Sequence, residues 1–363
     1  MDVDYLIVGA GLTGSIIARA LADRGENVLI IDRRQHKGGN VYDYKDENGI
    51  RIHTYGPHYF RTNSINIWNF VNRYDSFYPY EPVLMTKIED KFEYWPIQND
   101  YIVNNIGTNW KPSFLGTPSN FEEASLSIMP TIIYERFIRD YNVKQWGVDP
   151  KNLDTDLVGR FEVRMDGDIR LKTCRYQGIP VSGYSKLMGN LTKNIETILN
   201  VEYKYIKNSV NVKKKTIYTG AIDEFFDFDL GKLTYRGQIR EHQHYADSDF
   251  ILPVGQVNTP SIDEGPHIRI LEWKHMMPMQ ERNKINGTVL TKETPFTPTK
   301  PNDYEYPFPD KRNRELFNKY HARLDNIGGV LICGRLGEYR YYDMDQAIER
   351  AFSILRKNFN IYV

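Results

Sequence analysis

MDVDYLIVGAGLTGSIIARALADRGENVLIID, residues 1–32, is the stretch that decides the architecture. Tyr5 to Val8 is a short apolar run, GAGLTG is a tight glycine turn, Ser15 to Arg24 carries apolar residues at helical spacing, and Val28 to Asp32 is a second apolar run. Strand, turn, helix and strand in that order make a βαβ unit. Gly9, Gly11 and Gly14 form G-x-G-x-x-G between strand and helix, and Asp32 follows at about the 20-residue separation of a dinucleotide fingerprint. In that fingerprint Gly9 permits the turn and Gly11 lets backbone approach a pyrophosphate at the helix N-terminus. Gly14 lets helix and strand pack, and Asp32 accepts a ribose hydroxyl. Chance glycine spacing is the competing explanation, but it does not bring strand, helix and acid into place together.

The fingerprint alone suits NAD or FAD. Arg33 and Arg34 follow the acid, and Gly38, Gly39 and Asn40 come soon after. A GG turn there is typical of FAD-binding domains of the glutathione-reductase and amine-oxidase type. FAD is therefore the expected cofactor, with Arg33, Gly39 and Asn40 among its contacts. Near the C-terminus, GVLICGRLGEYRYYDM reads as strand, glycine turn and the start of an amphipathic helix at Met344. Arg335 in that turn is placed to meet pyrophosphate charge, with Met344 beside it.

Bulk properties narrow the function further. At 363 residues the chain exceeds what one hydrophobic core usually supports. Its 47 basic and 47 acidic residues cancel, leaving no broad cationic field for nucleic acid or anionic lipid, so an anionic ligand must be met locally. Only Cys174 and Cys333 are present, with no CxxC pair, which points to a cytoplasmic protein without a disulfide framework or metal site. No stretch approaches the roughly 18 apolar residues of a membrane span. The 26 tyrosines suit a cleft that stacks a base and hydrogen-bonds sugar and phosphate, although most must simply decorate strands and surfaces.

The expected fold is α/β, with a Rossmann-like FAD-binding domain formed by 1–64, 176–230 and 325–363. Residues 65–155 are expected to be a mainly helical insert with a mobile substrate loop, its helices near Ile65 to Tyr74, Phe121 to Ser127 and Thr131 to Tyr141. Residues 156–175 and 231–324 are expected to form an antiparallel sheet substrate domain. Pro295 to Pro309 is a Pro-rich loop.

Four stretches resemble UDP-galactopyranose mutases in the same order: HTYGPHYFRT from His53, YNVKQWG from Tyr141, RYQGIPVSGYSKL from Arg175 and GRLGEYRYYDM from Gly334. With the fingerprint, IYTGAIDEFFDF and RILEWKH, they span nearly the whole chain. The resemblance implies an isomerase that interconverts pyranose and furanose forms of a nucleotide sugar, active when its FAD is reduced. It implies a covalent adduct between flavin N5 and the sugar while the nucleoside diphosphate is held aside. A homodimer is implied as well.

Residue by residue, the resemblance assigns the diphosphate-gripping arginines to Arg160 and Arg269, and the diphosphate tyrosines to Tyr306 and Tyr341. It assigns the aspartate near the sugar to Asp343, the histidine beside the flavin to His58, and a sugar-contacting asparagine to Asn258. Phe137, Tyr141 and Trp146 are the expected base site and lid, with Trp146 riding a mobile loop; a core role is the alternative for Phe137. Holding a departing pyrophosphate calls for fixed cations and hydroxyls rather than a carboxylate pair.

This chain departs from the family pattern at Arg61, where a second histidine is usual. Leu171 stands where a tyrosine is usual, and Asn142 where a threonine is. All three positions belong to the expected substrate cleft and leave the sugar open: UDP-galactose is the default, UDP-N-acetylgalactosamine fits an altered pocket at Arg61, and dTDP-fucose would answer to altered base contacts. An amine-oxidase-like redox enzyme on the same architecture, which would consume oxygen, is the competing class. A catalytically dead binder is disfavoured by the retained Arg160, Arg269, Tyr306, Tyr341 and Asp343.

Overall fold

Strand Asp2–Val8 lies at the centre of a five-stranded parallel sheet in the computed structural model, which describes all 363 residues. Its neighbours are Val28–Ile31, then Glu196–Ile198 on one side, and Asn211–Tyr218, then Val330–Ile332 on the other. Taken in chain order the strands run 3-2-1-4-5, so the chain reverses direction across the sheet beside the first strand. Such a switch point leaves a crevice at the carboxyl ends of the strands. Residues alternate faces from Tyr5 to Val8, and an irregularity in register between Val3 and Tyr5 turns Val3 to the face of Leu6 and Val8. Tyr5 and Ile7 pack with helices Leu12–Ala22 and Met344–Phe359, while Val3, Leu6 and Val8 pack with Tyr218, Tyr235 and Tyr320 beneath.

A seven-stranded sheet stands beside this domain, in the order Tyr306–Pro307, Tyr235–Tyr245, Thr288–Phe296, Arg269–Glu272, Gln256–Asn258, Leu84–Ile88 and Lys91–Trp95. All neighbours are antiparallel except Gln256–Asn258 with Leu84–Ile88. A three-stranded antiparallel sheet, Phe60–Thr62, Tyr176–Pro180 and Phe77–Pro79, bridges toward the cofactor domain.

The helical part is smaller than the sequence suggests. Helix Ile65–Asn72 places Ile67, Phe70 and Val71 in the core of the parallel-sheet domain, where Phe70 meets Phe352 edge-on at 5.1 Å. Residues 77–95 supply strands, so continuous helical structure begins at Asn99. Conversely, the short helix Thr155–Arg160 and strand Val163–Arg164, expected in the sheet domain, join the helical layer through Leu157 and a pairing with Ile97–Gln98. Apolar spacing reveals that a helix has a face to bury but not which layer receives it. No helix is long and apolar enough to cross a membrane.

Candidate active site

The groove at the switch point is lined by every residue assigned to the cofactor from sequence. Gly9 has φ +107°, and a Cβ there would fall 2.1 Å from Thr219 Oγ1. A Cβ on Gly14 would fall 2.2 Å from the Gly9 carbonyl, and one on Gly39 2.9 Å from Gly11 Cα. Those three glycines are demanded by packing within the protein. A Cβ on Gly11, in contrast, meets nothing closer than Gly39 Cα at 3.8 Å, so the space before it is left for a ligand. Helix Leu12–Ala22 has no side-chain cap, and its first N–H groups face that space, as an anion requires. Asp32 is buried, accepting from Ala10 N at 2.7 Å and Arg34 N at 2.8 Å, which aims its carboxylate and leaves lone pairs for a hydroxyl. This cradle fits FAD.

Two arginines on the cofactor side are already engaged by side chains of the protein. Arg33 lines the groove but is paired with Glu224 at 2.6 Å, so its charge is already neutralised. Arg34, which sequence did not single out, donates to Asn40 Oδ1 at 2.8 Å and lies 4.3 Å over the Tyr55 ring. It thereby fixes the side chain that stands at the mouth of the next cleft.

That second cleft encloses about 1740 Å³ of space open to solvent and shares Asn40, His58, Arg335 and Met344 with the groove. Every side chain assigned to catalysis or substrate lines it. Arg160 lies 4.0 Å over the Tyr341 ring and Arg335 4.8 Å over the same ring, with Tyr306 stacked near-parallel at 6.0 Å. Neither guanidinium meets a carboxylate; Arg335 donates to the carbonyls of Tyr342 at 2.6 Å and Glu305 at 3.3 Å. Two unneutralised cations on one tyrosine plate make a local anion site within a chain of zero net charge.

Arg269, partly buried, is paired with Glu293, whose other oxygen accepts from Arg240 Nε at 2.8 Å; Arg240 in turn holds Glu305 through two 2.8 Å contacts. Burial alone would lift the Glu293 carboxyl, but Arg269 and Arg240 outweigh it and hold the group below its ordinary range. Gly56 makes room for this chain of charges: at φ +88°, a Cβ there would reach 3.0 Å from Glu293 Oε1. Arg240 and Glu293 escaped notice in the sequence. The available signal was a charge at inward positions of alternating strands.

Asp343 receives Tyr341 Oη at 3.0 Å on one oxygen and Arg61 at 2.9 Å on the other. Burial first, and the Asp343 charge second, push the Tyr341 phenol up to about 12, so it remains a donor. His58 Nδ1 lies 2.7 Å from the Gly56 carbonyl and must carry the proton there. Burial, with neighbouring His53, lowers its pKa to about 3, so the ring is neutral and Nε2 keeps a lone pair.

The aromatic wall is one helical run, Thr131–Trp146, interrupted by a π turn at Glu135–Arg139. Phe137 is 2% exposed, edge-on to Tyr101, and also lines the cleft, so it serves core and site together. Trp146 contradicts the mobile-loop expectation: it ends the helix, is 3% exposed and meets Phe308 edge-on at 5.7 Å. Gly147 is the left-handed residue that stops the helix, not the start of a loop carrying the indole. Asn142 donates one amide N–H to the Ile138 carbonyl at 2.7 Å, leaving its second N–H and its oxygen for a ligand. Asn258 accepts from Gln256 at 2.9 Å and keeps its own N–H groups. Leu171 is fixed by its backbone bond to Pro82 and offers only an apolar surface. Lys172 and Asp345 also line the cleft and were not anticipated.

A family model described as UDP-galactopyranose mutase matches residues 136–341, and one described as an NAD(P)-binding Rossmann-like domain matches residues 7–74. A dTDP-fucopyranose mutase of Escherichia coli is 33% identical over 95% of this chain and 96% of its own length. A probable UDP-galactopyranose mutase of Klebsiella pneumoniae is 31% identical over 96% of this chain and 92% of its own. The crystal structure of a reduced UDP-galactopyranose mutase shares the fold with a TM-score of 0.76 at 16% identity, covering 98% of this chain and 94% of that one.

Proposed function

The chain belongs to the UDP-galactopyranose mutase family of flavin-dependent isomerases, and from that premise we propose that it interconverts pyranose and furanose forms of a nucleotide-linked sugar. The observation that carries this reading is the meeting of two clefts at His58, Asn40, Arg335 and Met344, one a dinucleotide cradle and the other rich in free guanidinium and tyrosine hydroxyl.

When bound and reduced, FAD supplies the nucleophile. The chain's own residues do the rest. Arg160, Arg269 and Arg335 hold the diphosphate while the sugar is detached, and their charge stabilises it as a leaving group. Tyr306 adds a hydroxyl donor to its oxygens, and Tyr341, its proton given to Asp343 in a hydrogen bond, supplies the plate that carries Arg160 and Arg335. Phe137 and Tyr141 form the wall for the base, and Asn258 and neutral His58 orient the sugar by hydrogen bonds. Asp343 holds Tyr341 and Arg61 in register, and Leu171 narrows the cleft without adding a donor. Phe137, Tyr141 and Trp146 form an aromatic wall on one side of the cleft that limits the water reaching the detached sugar.

UDP-galactose is the first substrate reading, with UDP-N-acetylgalactosamine as the analogue that Arg61 would favour. A dTDP-linked fucose is the second, supported by the full-length likeness to the dTDP-fucopyranose mutase. The enzyme works as a cytoplasmic homodimer in this reading.

The test is to reduce the FAD-loaded protein with dithionite, supply each of the three sugars as its nucleotide furanose, and follow the pyranose by chromatography. Conversion by reduced but not oxidised protein is expected. No change of ring size with any of the three, or stoichiometric oxygen consumption with an organic reductant, would sink the proposal.

A further inference from the structure

Two cations outside both clefts tie the base wall to the diphosphate strands. Lys144, on helix Asp140–Trp146, donates through Nζ to the carbonyls of Thr259 and His267, each at 2.9 Å. Those carbonyls flank the turn between strands Gln256–Asn258 and Arg269–Glu272, one residue after Asn258 and two before Arg269. In the reverse direction, Arg236 on strand Tyr235–Tyr245 donates to the terminal helix carbonyls, to Gln145 O at 2.6 Å and Lys144 O at 3.1 Å. Between them Gln238 donates to Gln145 Oε1 at 2.9 Å. Arg236 is 5% exposed, and neither cation pairs with a carboxylate.

Arg236 also donates to the Thr297 hydroxyl at 2.5 Å, so every partner of this buried guanidinium is neutral, an arrangement that is costly unless its geometry is used. Here one charge caps the negative end of the helix, and the other closes a turn of the sheet. Tyr141 and Asn142 ride on that helix within one turn of Lys144, and Asn258 and Arg269 are the paired strand residues on either side of that turn. The distance between base wall and diphosphate cation is therefore set by these bonds. We infer that Lys144 and Arg236 are positioning residues that fix the span of the cleft to a nucleoside diphosphate, governing substrate affinity rather than the chemical step. The inference rests on the nucleotide-sugar reading above.

The experiment uses FAD-loaded protein carrying Lys144→Met, Arg236→Lys or Lys144→Arg. Kd for UDP and for dTDP is measured by calorimetry, and kcat and KM are measured with the reduced enzyme. For Lys144→Met and Arg236→Lys, affinity for the nucleoside diphosphate is expected to fall roughly 10-fold, with KM rising in parallel and kcat within about threefold of the parent. Lys144→Arg, which keeps a cation on the two carbonyls, should recover most of the affinity. Unchanged Kd in both variants, a fall in kcat without a change in Kd, or loss of FAD and fold in both would overturn the inference. If the parent itself bound neither UDP nor dTDP, the nucleotide-sugar reading would fail first, which separates that failure from failure of the clamp.

Discussion

Arg61 and Asp343 meet at 2.9 Å across the cleft, joining strand Phe60–Thr62 to the N-cap of helix Met344–Phe359. The second Asp343 oxygen holds Tyr341, so a single carboxylate sets the pose of a cation near the cofactor and of a diphosphate tyrosine. An imidazole at position 61 is shorter and less charged than a guanidinium, and it cannot make the same fork. The residue that departs from the family pattern is thus wired to two that keep it.

Substitution Arg61→His should therefore redistribute specificity. The ratios of kcat/KM among UDP-galactose, UDP-N-acetylgalactosamine and dTDP-fucose are expected to shift by roughly 10-fold, about what one misplaced polar contact costs. Competition assays with mixed substrates read the ratios directly. Unaltered ratios would remove Arg61 as a selector.

Arg160 and Arg269 should separate in stability while agreeing in activity. Each alanine variant is expected to lose on the order of 2–4 kcal/mol of leaving-group stabilisation, or roughly 30-fold to 1000-fold in turnover. Arg160 is exposed and has no ion-pair partner, so its removal should leave the melting temperature within about a degree. Arg269→Ala leaves buried Glu293 with Arg240 alone, and its melting temperature should fall by several degrees. Full turnover in either variant would exclude that residue from diphosphate handling.

Acid should weaken the fold through its paired histidines. His53 Nδ1 accepts the His58 backbone N–H at 3.0 Å, which requires the unprotonated nitrogen. Burial first lowers His53 to about 4 and His58 to about 3, against an ordinary value of 6.5. Because the folded-state values lie below the unfolded one, the unfolded chain takes up protons first as pH falls. The stability contribution is whole above about 6.5 and is lost as pH falls toward 3–4. Denaturant unfolding of the FAD-loaded protein at pH 7.5, 6 and 5 should show a slope rising toward two protons, and His58→Gln should remove about one of them. Parallel curves for parent and variant would refute this.

Legibility followed locality. Gly9, Gly14 and Asp32 were readable because a strand-turn-helix makes its demands within about 30 residues, and their packing partners lie in the same unit or on the next strand. Arg160, Asn258 and Tyr306 have no local signature; they were placed by likeness to a family, and their shared cleft depends on sheet register far from the fingerprint. Arg240 and Glu293 were missed because their pairing arises only when strand Tyr235–Tyr245 aligns with Thr288–Phe296. Trp146 was misread because a tryptophan before glycine looks the same whether the glycine opens a loop or stops a helix. Helix Ile65–Asn72 was found, but its apolar face gave no hint that Phe352, from the far end of the chain, would cover it.

The glycines of the fingerprint supply a test that distinguishes folding from cofactor binding. A methyl group at position 14 would fall 2.2 Å from the Gly9 carbonyl, a backbone atom that cannot swing aside. Gly14→Ala should therefore lower stability by roughly 1–3 kcal/mol, seen as a loss of soluble, cooperatively melting protein. At position 11 the same methyl has 3.8 Å of room and an ordinary extended backbone at φ −72°, so nothing in the protein resists it. It would stand instead where the pyrophosphate approaches the helix N-terminus. Gly11→Ala should fold with a melting transition like that of the cofactor-free parent, yet bind FAD at least about 10-fold more weakly by flavin fluorescence titration. A Gly11→Ala protein that holds FAD as tightly as the parent would move the pyrophosphate away from this turn. A Gly14→Ala protein of full stability would show that helix and strand are less closely packed than the 2.2 Å approach requires.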